Sequence, residues 1–268
     1  MGDQIRVGIL GWGAIGREVA ALVDAGAADT PTATQRLTAV ASRFRDGEPH
    51  ALAVPAAALA EHCDVVVEAA GPEPLRAHAS AYLRAGADVV VVSIGALVDD
   101  EVRRELTGIG PGRLLLSSGA IGGLDLISAA QLYGSIDRVR LETTKPSASL
   151  VRAWMTAAMQ AQLTAAEEPV ECFRGSVADA VRLFPESLNV AAALGLAAGT
   201  LDLVEVVVVG SPTATTNSHQ ITVSAASGRY SIAVENTPSP SNPRTSHLTA
   251  WSVLRTLRNR VGPSGSFL

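Results

Sequence analysis

Short apolar runs alternate with longer segments of helical spacing through the first half of this chain. The runs predicted to form strands are Ile5–Leu10, Leu37–Ala41, Val65–Ala69, Asp88–Ser93 and Arg113–Leu116. Between them, Ala14–Asp24 and Leu75–Ala85 repeat apolar residues at the interval of a helix packed on a sheet. Because the strand runs are apolar on both faces, they fit a parallel sheet covered on each side. The first half is therefore predicted to be a doubly wound α/β sheet.

The second half follows a different pattern after about Asp125. A helical stretch runs to Tyr133, and an alanine-rich helix is predicted from about Glu186 to Ala198. The strands predicted here are Val139–Thr144, Leu203–Val209, His219–Ala225 and Tyr230–Glu235. The turn Ser227-Gly228 indicates a hairpin between the last two, so this half is predicted to be antiparallel. Two domains of different architecture fit better than one.

Composition and charge exclude several classes of protein. The chain has 268 residues, 47% of them apolar and 18% charged, which is typical of a globular protein and not of a disordered one. Its net charge of −5 comes from interspersed charges, whereas a protein that binds duplex DNA needs a concentrated positive face. No apolar run is long enough for a membrane span, and no secretion signal opens the chain, so we expect a cytoplasmic protein.

Cysteine and lysine are both rare. The two cysteines, Cys63 and Cys172, lack disulfide or metal-binding spacing, so we expect small core residues and no metal. Lys145 is the one lysine.

A glycine motif follows the first predicted strand. Gly11, Gly13 and Gly16 fit G-x-G-x-x-G, with Ala14 and Ile15 between them at the start of the amphipathic helix. The glycines allow a tight turn, a close approach to a pyrophosphate and close packing of helix on strand. The free N–H groups of the helix then face the anion. This context predicts a dinucleotide site.

The end of the second strand bears on the choice between NAD and NADP. A site selective for NAD is expected to carry an acid there, which binds the ribose 2′-OH. This chain has Ala41-Ser42-Arg43 instead. Arg43 can pair with a 2′-phosphate, so we predict that NADP is accepted; the alternative is a solvated loop arginine.

His219 is the candidate catalyst among five histidines. It opens a strand in phase with Ile221 and Val223, as a core residue would, but Asn217 and Ser218 beside it are polar. This places it at a rim where a strand leaves a loop, and an imidazole there suits proton transfer. A satisfied core histidine is the alternative.

The segment Asn242-Pro243-Arg244-Thr245-Ser246 has the pattern of a helix start, with Asn242 as N-cap and Pro243 at the first helical position. The helix that follows places Leu248, Trp251, Leu254 and Leu257 on one stripe. Capping is one reading. The other is a carboxylate site made by the positive helix end with the Thr245 and Ser246 hydroxyls.

Six segments in one order resemble the L-aspartate dehydrogenase family. They are Val67–Gly71, Ser93–Leu97, Ser118–Asp125, Leu188–Ala192, Asn217–His219 and Asn242–Ser246. The resemblance implies a Rossmann domain of residues 1–123 plus 243–268, and an α+β catalytic domain of residues 124–242 that resembles dihydrodipicolinate reductase. It also implies oxidation of L-aspartate to iminoaspartate with NAD or NADP, the imine feeding nicotinamide cofactor synthesis or hydrolysing to oxaloacetate and ammonia.

Carried over residue by residue, the family's catalytic histidine matches His219. Gly71, Asn189 and the Gly122-Gly123 turn match cofactor contacts. The family often has a basic residue followed by two prolines after the first strand of the catalytic domain, but here Lys145-Pro146 is followed by Ser147. For the two carboxylates of a dicarboxylic amino acid, we expect donors from Lys145 and from the segment Asn242–Ser246.

Two other readings stay open. One is a reductase of the dihydrodipicolinate reductase or homoserine dehydrogenase type, although the adjacent histidine pair of the former is missing here. The other is a non-catalytic NADP-binding sensor, which would need the glycine motif but not His219. We also expect a homodimer formed through the antiparallel sheet.

Overall fold

The computed structural model describes residues 3–43, 51–185, 188–239 and 242–262. The chain divides into two units, Met1–Gly119 with Thr249–Leu268, and Ala120–Leu248. The assignment of nucleotide binding to the first unit and catalysis to the second stays a proposal, as do the predicted boundaries.

Six strands form the parallel sheet of the first unit, in the spatial order β3-β2-β1-β4-β5-β6. The elements are β1 (Asp3–Leu10), α1 (Ala14–Asp24), β2 (Ala33–Ala41), β3 (Leu52–Ala53), β4 (Val65–Glu68), α2 (Pro72–Arg84), β5 (Asp88–Val91), α3 (Asp100–Thr107) and β6 (Leu114–Leu116), with short 3₁₀ helices at Ala56–His62 and Ile94–Val98. This order confirms the predicted doubly wound sheet. The strand order changes direction beside β1, with β2 and β3 on one side and β4, β5 and β6 on the other. Doubly wound sheets bind their ligands at this point.

Helix α3 was absent from the predictions because its pattern is almost entirely polar. Leu106 is its one buried residue. The helix starts because the Asp99 side chain accepts hydrogen bonds from the backbone N–H groups of Glu101 and Val102, at 3.0 and 3.3 Å. An N-cap of this kind satisfies donors that the first helical turn leaves unpaired.

The second unit is built on a five-stranded sheet in the order β11-β10-β7-β9-β8. Its elements are α4 (Leu124–Tyr133), β7 (Ile136–Pro146), α5 (Ser147–Leu150), α6 (Ala157–Ala165), β8 (Val170–Gly175), α7 (Val177–Leu183), α8 (Asn189–Ala197), β9 (Val204–Ser211), β10 (Asn217–Ala225), β11 (Gly228–Asn236), β12 (Pro238–Ser239) and β13 (Asn242–Ser246). The predicted hairpin of β10 and β11 is confirmed. The prediction of an antiparallel half is wrong in one respect, because β7 and β9 run parallel.

The two faces of this sheet differ in polarity. Along β7, Val139, Leu141 and Thr143 are buried, and the alternate positions carry charges. Arg138 on that polar face forms an ion pair of 2.8 Å with Glu205. This alternation is what one covered face and one hydrated face require. Dimerisation through the sheet stays a prediction.

The last helix, α9 (Leu248–Arg260), packs into the first unit through Ala250, Val253, Leu254 and Leu257. The predicted stripe is therefore half wrong, since Leu248 and Trp251 are 48% and 44% exposed. At the far end of the helix, Arg260 Nε lies 2.7 Å from Asp88 Oδ2. Burial alone would raise the pKa of Asp88, but hydrogen bonds from Arg113 and Arg260 leave it lowered.

The predicted helix start at Asn242 is also wrong. Asn242–Ser246 forms strand β13, which pairs with β12. The helix begins two residues after Ser246, whose Oγ accepts a hydrogen bond from Leu248 N at 3.2 Å. The positive helix end therefore does not lie at Asn242. Across the described ranges, no helix has the length and apolar character needed to cross a membrane.

Candidate active site

The glycine motif lies at the carboxyl end of β1, where the strand order changes direction. Gly11 has a φ of 101°, and a Cβ there would stand 2.6 Å from the Ala69 carbonyl oxygen. A Cβ on Gly16 would overlap the Gly11 carbonyl oxygen. These two glycines are thus required by the turn itself.

Gly13 is different, because a Cβ there would meet no described atom within 4 Å. It is the N-cap residue of α1, with ordinary extended φ and ψ of −78° and −167°. The fold therefore does not need a glycine at this position. Open space over a helix N-terminus is what an approaching pyrophosphate requires, so the residues fit a dinucleotide.

Glu68 organises the loops at the same sheet edge. Its carboxylate is 1% exposed and accepts hydrogen bonds from Ala70 N and Gly71 N, both at 2.9 Å. Ser93 N and Ser93 Oγ, two residues beyond β5, donate to it at 3.0 and 2.9 Å. Burial raises the pKa of Glu68, against the effect of these donors. The sequence analysis did not identify Glu68 as a functional residue, although a glutamate at the end of an apolar strand run could have indicated one.

Arg43 is exposed and lies two residues beyond β2, the neighbour of β1. The end of β2 is tied to the glycine motif by a hydrogen bond of 2.8 Å from Gly11 N to Ala41 O. This is the sheet edge where the adenosine ribose is expected. A role of Arg43 toward a 2′-phosphate stays a proposal.

His219 lies in the second unit, on the buried face of its sheet, and is 5% exposed. Its register partner on β7 is Thr143, whose Oγ1 lies 3.0 Å from His219 Nδ1. Burial and the positive charge of Lys145 lower the pKa of His219 to about 4. The imidazole is therefore neutral at pH 7, which is the form that accepts a proton.

Lys145 is two residues beyond Thr143 on the same face of β7 and is 6% exposed. Burial and the positive charge of Arg152 lower the pKa of Lys145 to about 8. Arg152 donates from Nη1 to the carbonyl oxygens of Ser149 and Val151, and its guanidinium lies 5.6 Å from the Phe184 ring centroid. Sequence reasoning missed Arg152, because nothing in the local pattern separates it from other surface arginines.

The remaining predicted cofactor contacts lie at helix starts. Gly123 precedes α4 with a φ of 78°, and a Cβ there would overlap the Ile232 side chain on β11. Its packing thus explains Gly123 without a ligand. Gly122 has open space at the Cβ position, and Asn189 is the first residue of α8. Contacts of these residues with a cofactor stay predictions.

The segment predicted to bind a carboxylate, Asn242–Ser246, contains a hydrogen bond between two of its own side chains. Asn242 Nδ2 donates to Thr245 Oγ1 at 3.2 Å, and Ser246 is 7% exposed. Because the segment is a strand, the helix dipole proposed to attract a carboxylate does not act at Asn242. A substrate contact by Asn242, Thr245 or Ser246 now rests on their side chains alone.

Comparison with known proteins identifies the family. A family model described as aspartate dehydrogenase, C-terminal, matches residues 125–260, and one described as homoserine dehydrogenase, NAD binding domain, matches residues 11–109. An L-aspartate dehydrogenase of Bradyrhizobium diazoefficiens is 37% identical, over 96% of this chain and 92% of that protein. The chain belongs to the aspartate dehydrogenase family.

Solved structures agree with this assignment. The crystal structure of aspartate dehydrogenase from Thermotoga maritima has a TM-score of 0.75 and 29% identity, over 98% of this chain and 99% of that one. A hyperthermophilic archaeal homoserine dehydrogenase in complex with NADPH has a TM-score of 0.61 at 12% identity, over 96% and 98%. At that identity the likeness shows the fold alone. As a member of the aspartate dehydrogenase family, the chain is an NAD(P)-dependent dehydrogenase.

Ser147 follows Lys145-Pro146, where the resemblance predicts a second proline. It is the first residue of α5 and is 8% exposed, and its Oγ has no hydrogen-bond partner within the described part of the chain. A Cβ on Gly210, the register partner of Lys145, would stand 3.2 Å from this Oγ. Such a Cβ would overlap the Leu163 side chain first, so Leu163 explains Gly210, and the buried Ser147 hydroxyl is unsatisfied among the described residues.

Proposed function

We propose that this protein oxidises L-aspartate to iminoaspartate with NAD or NADP. The proposal is carried by one observation: a neutral buried imidazole and a buried ammonium share one face of the second unit's sheet. A neutral base and a cation are what a dicarboxylic amino acid requires, since its amine must lose protons and its carboxylates must be bound.

Lys145 and Arg152 supply the positive charge for the carboxylates in this proposal. Lys145 is a donor expected from the sequence, and Arg152 takes the place of the helix end expected at Asn242. The pKa of His219 is lowered by burial and by the positive charge of Lys145. A bound carboxylate would offset that charge. Substrate binding would therefore make His219 a stronger base at the time when a proton must be accepted.

The chemistry that a bound nicotinamide supplies is acceptance of a hydride from the substrate Cα. Gly11, Gly13 and Gly16 would hold the pyrophosphate, and Glu68 keeps the neighbouring loops in place through its four hydrogen bonds. His219 would take the proton that leaves the substrate amine as the C=N bond forms.

The direct test is to follow nicotinamide absorbance with purified protein. L-aspartate is supplied with NAD and with NADP, and the reverse direction is run with oxaloacetate, ammonia and each reduced cofactor. We expect turnover in both directions with a dicarboxylic substrate, and none with L-homoserine. Binding of cofactor without turnover in either direction would instead support an NADP-binding sensor.

Arg43→Ala should change the choice of cofactor. If the guanidinium pairs with the 2′-phosphate, KM for NADP should rise by about tenfold, the size expected for a solvent-exposed charge-assisted hydrogen bond, while KM for NAD stays constant. The measurement is the ratio of the two KM values. An unchanged ratio would leave Arg43 as a solvated loop residue.

Lys145→Met should weaken dicarboxylate binding, and most at low pH. With succinate as a competitive inhibitor, the wild-type inhibition constant should rise about tenfold between pH 7 and pH 9, because the ammonium loses its proton as the pH passes about 8. The Lys145→Met variant should bind succinate weakly at both pH values, with an inhibition constant that does not change between them. A wild-type constant that does not change with pH would contradict a role for the Lys145 charge.

A further inference from the structure

Thr143 has no role in the reaction proposed above, although it is fully buried beside the catalytic histidine. It lies on the buried face of β7, between Leu141 and Lys145. A hydroxyl in such surroundings costs free energy unless it is hydrogen-bonded. Its Oγ1 lies 3.0 Å from Nδ1 of His219, so the two side chains are joined by a hydrogen bond.

The neighbours of this pair leave the orientation of the imidazole to Thr143. Val234 is the register partner of His219 on β11, and Val208 is that of Thr143 on β9, so apolar residues flank both sides. Two charged groups influence this pair. Lys145, on the same face of β7, lowers the pKa of His219, and Arg152 lowers the pKa of Lys145. Within the described ranges, Thr143 Oγ1 is the one hydrogen-bond partner of the His219 ring.

The direction of this hydrogen bond decides what the other ring nitrogen can do. A neutral imidazole carries one N–H, so Nε2 can accept a proton only when the hydrogen is on Nδ1. Once Nε2 has accepted a proton, both nitrogens carry hydrogens, and Nδ1–H still needs an acceptor. A hydroxyl oxygen at Nδ1 satisfies the ring both before and after this transfer.

We propose that Thr143 is a positioning residue: its Oγ1 accepts a hydrogen bond from Nδ1–H of His219 and so directs the Nε2 lone pair to the substrate amine. The proposal rests on the proposed function for the identity of the proton donor. Its first part, the location of the ring hydrogen, is independent of any substrate.

Three substitutions separate this role from a purely structural one. Thr143→Val keeps the shape of the side chain and removes the oxygen, Thr143→Ser keeps the oxygen, and Thr144→Val is the control on the opposite face of the same strand. We expect Thr143→Val to lower kcat about tenfold, the loss equivalent to one buried hydrogen bond, with KM for L-aspartate unchanged. Thr143→Ser and Thr144→Val should retain wild-type kcat.

The tautomer is measured by NMR of protein with ¹⁵N-labelled histidines. The chain has five histidines, and the His219 signals are identified by their loss in His219→Gln. The wild-type spectrum should place the ring hydrogen of His219 on Nδ1, and Thr143→Val should move it toward Nε2 while Thr143→Ser does not.

Two results would overturn the proposal. One is a wild-type His219 with its hydrogen on Nε2, and the other is a Thr143→Val variant with unchanged tautomer and unchanged kcat. If the wild-type protein turned over no L-aspartate, the proposed function would fail, and the spectra would still decide whether Thr143 sets the tautomer. Thermal unfolding of each variant shows that it is folded before either measurement.

Discussion

His219→Ala should lower kcat for L-aspartate oxidation by a factor of about 10² to 10⁴, the usual contribution of a positioned general base. KM for L-aspartate should change little, because Lys145 and Arg152 remain to bind the carboxylates. The reason for a large effect is that His219 is already neutral at pH 7 and thus able to accept a proton. Steady-state kinetics at saturating cofactor measures both constants.

The control for His219→Ala is Gln220→Ala, one residue further along β10. Gln220 lies on the opposite face of the sheet, where its Nε2 donates to Ser231 Oγ at 2.8 Å. This variant should keep wild-type kcat. If His219→Ala also kept it while folding normally, His219 would be the satisfied core histidine of the alternative reading, and the base would have to be sought elsewhere.

Gly13→Ser should abolish most cofactor affinity without harming the fold. Serine is a favoured N-cap residue, and the extended backbone of Gly13 accepts it, so the helix should be as stable as before or more so. The added side chain would nevertheless fill the space into which a pyrophosphate must come. The resulting loss of contacts at the helix N-terminus is about 2 kcal/mol or more, a roughly thirtyfold rise in Kd.

The measurements for Gly13→Ser are calorimetric titration with NADP and NAD, and thermal unfolding without cofactor. Gly16→Ala is the contrasting variant, because its Cβ would overlap Gly11 O and should lower the unfolding temperature itself. If Gly13→Ser bound both cofactors as tightly as wild type, the pyrophosphate would not lie over Gly13.

Local patterns predicted best what contiguous residues build. Helix α1 has the predicted bounds, Ala14–Asp24, and the strands on either side of it were identified because burial on both faces leaves an unbroken apolar run. Asn242–Ser246 shows the limit of such reasoning. The same residues satisfy the local pattern of a helix start, but pairing with Pro238–Ser239 makes them a strand and moves the start of α9 to Leu248.

The candidate site divides along the same line. The sequence by itself determined the glycine motif and its context, because strand, turn and helix follow one another within Asp3–Asp24 and each has a local pattern of its own. Only the tertiary structure decided that His219 faces Thr143, a residue 76 positions earlier, and that Lys145 is buried on the same face. The register between β7 and β10 sets these neighbours, and register depends on packing across the whole sheet, which spacing along the chain does not reveal.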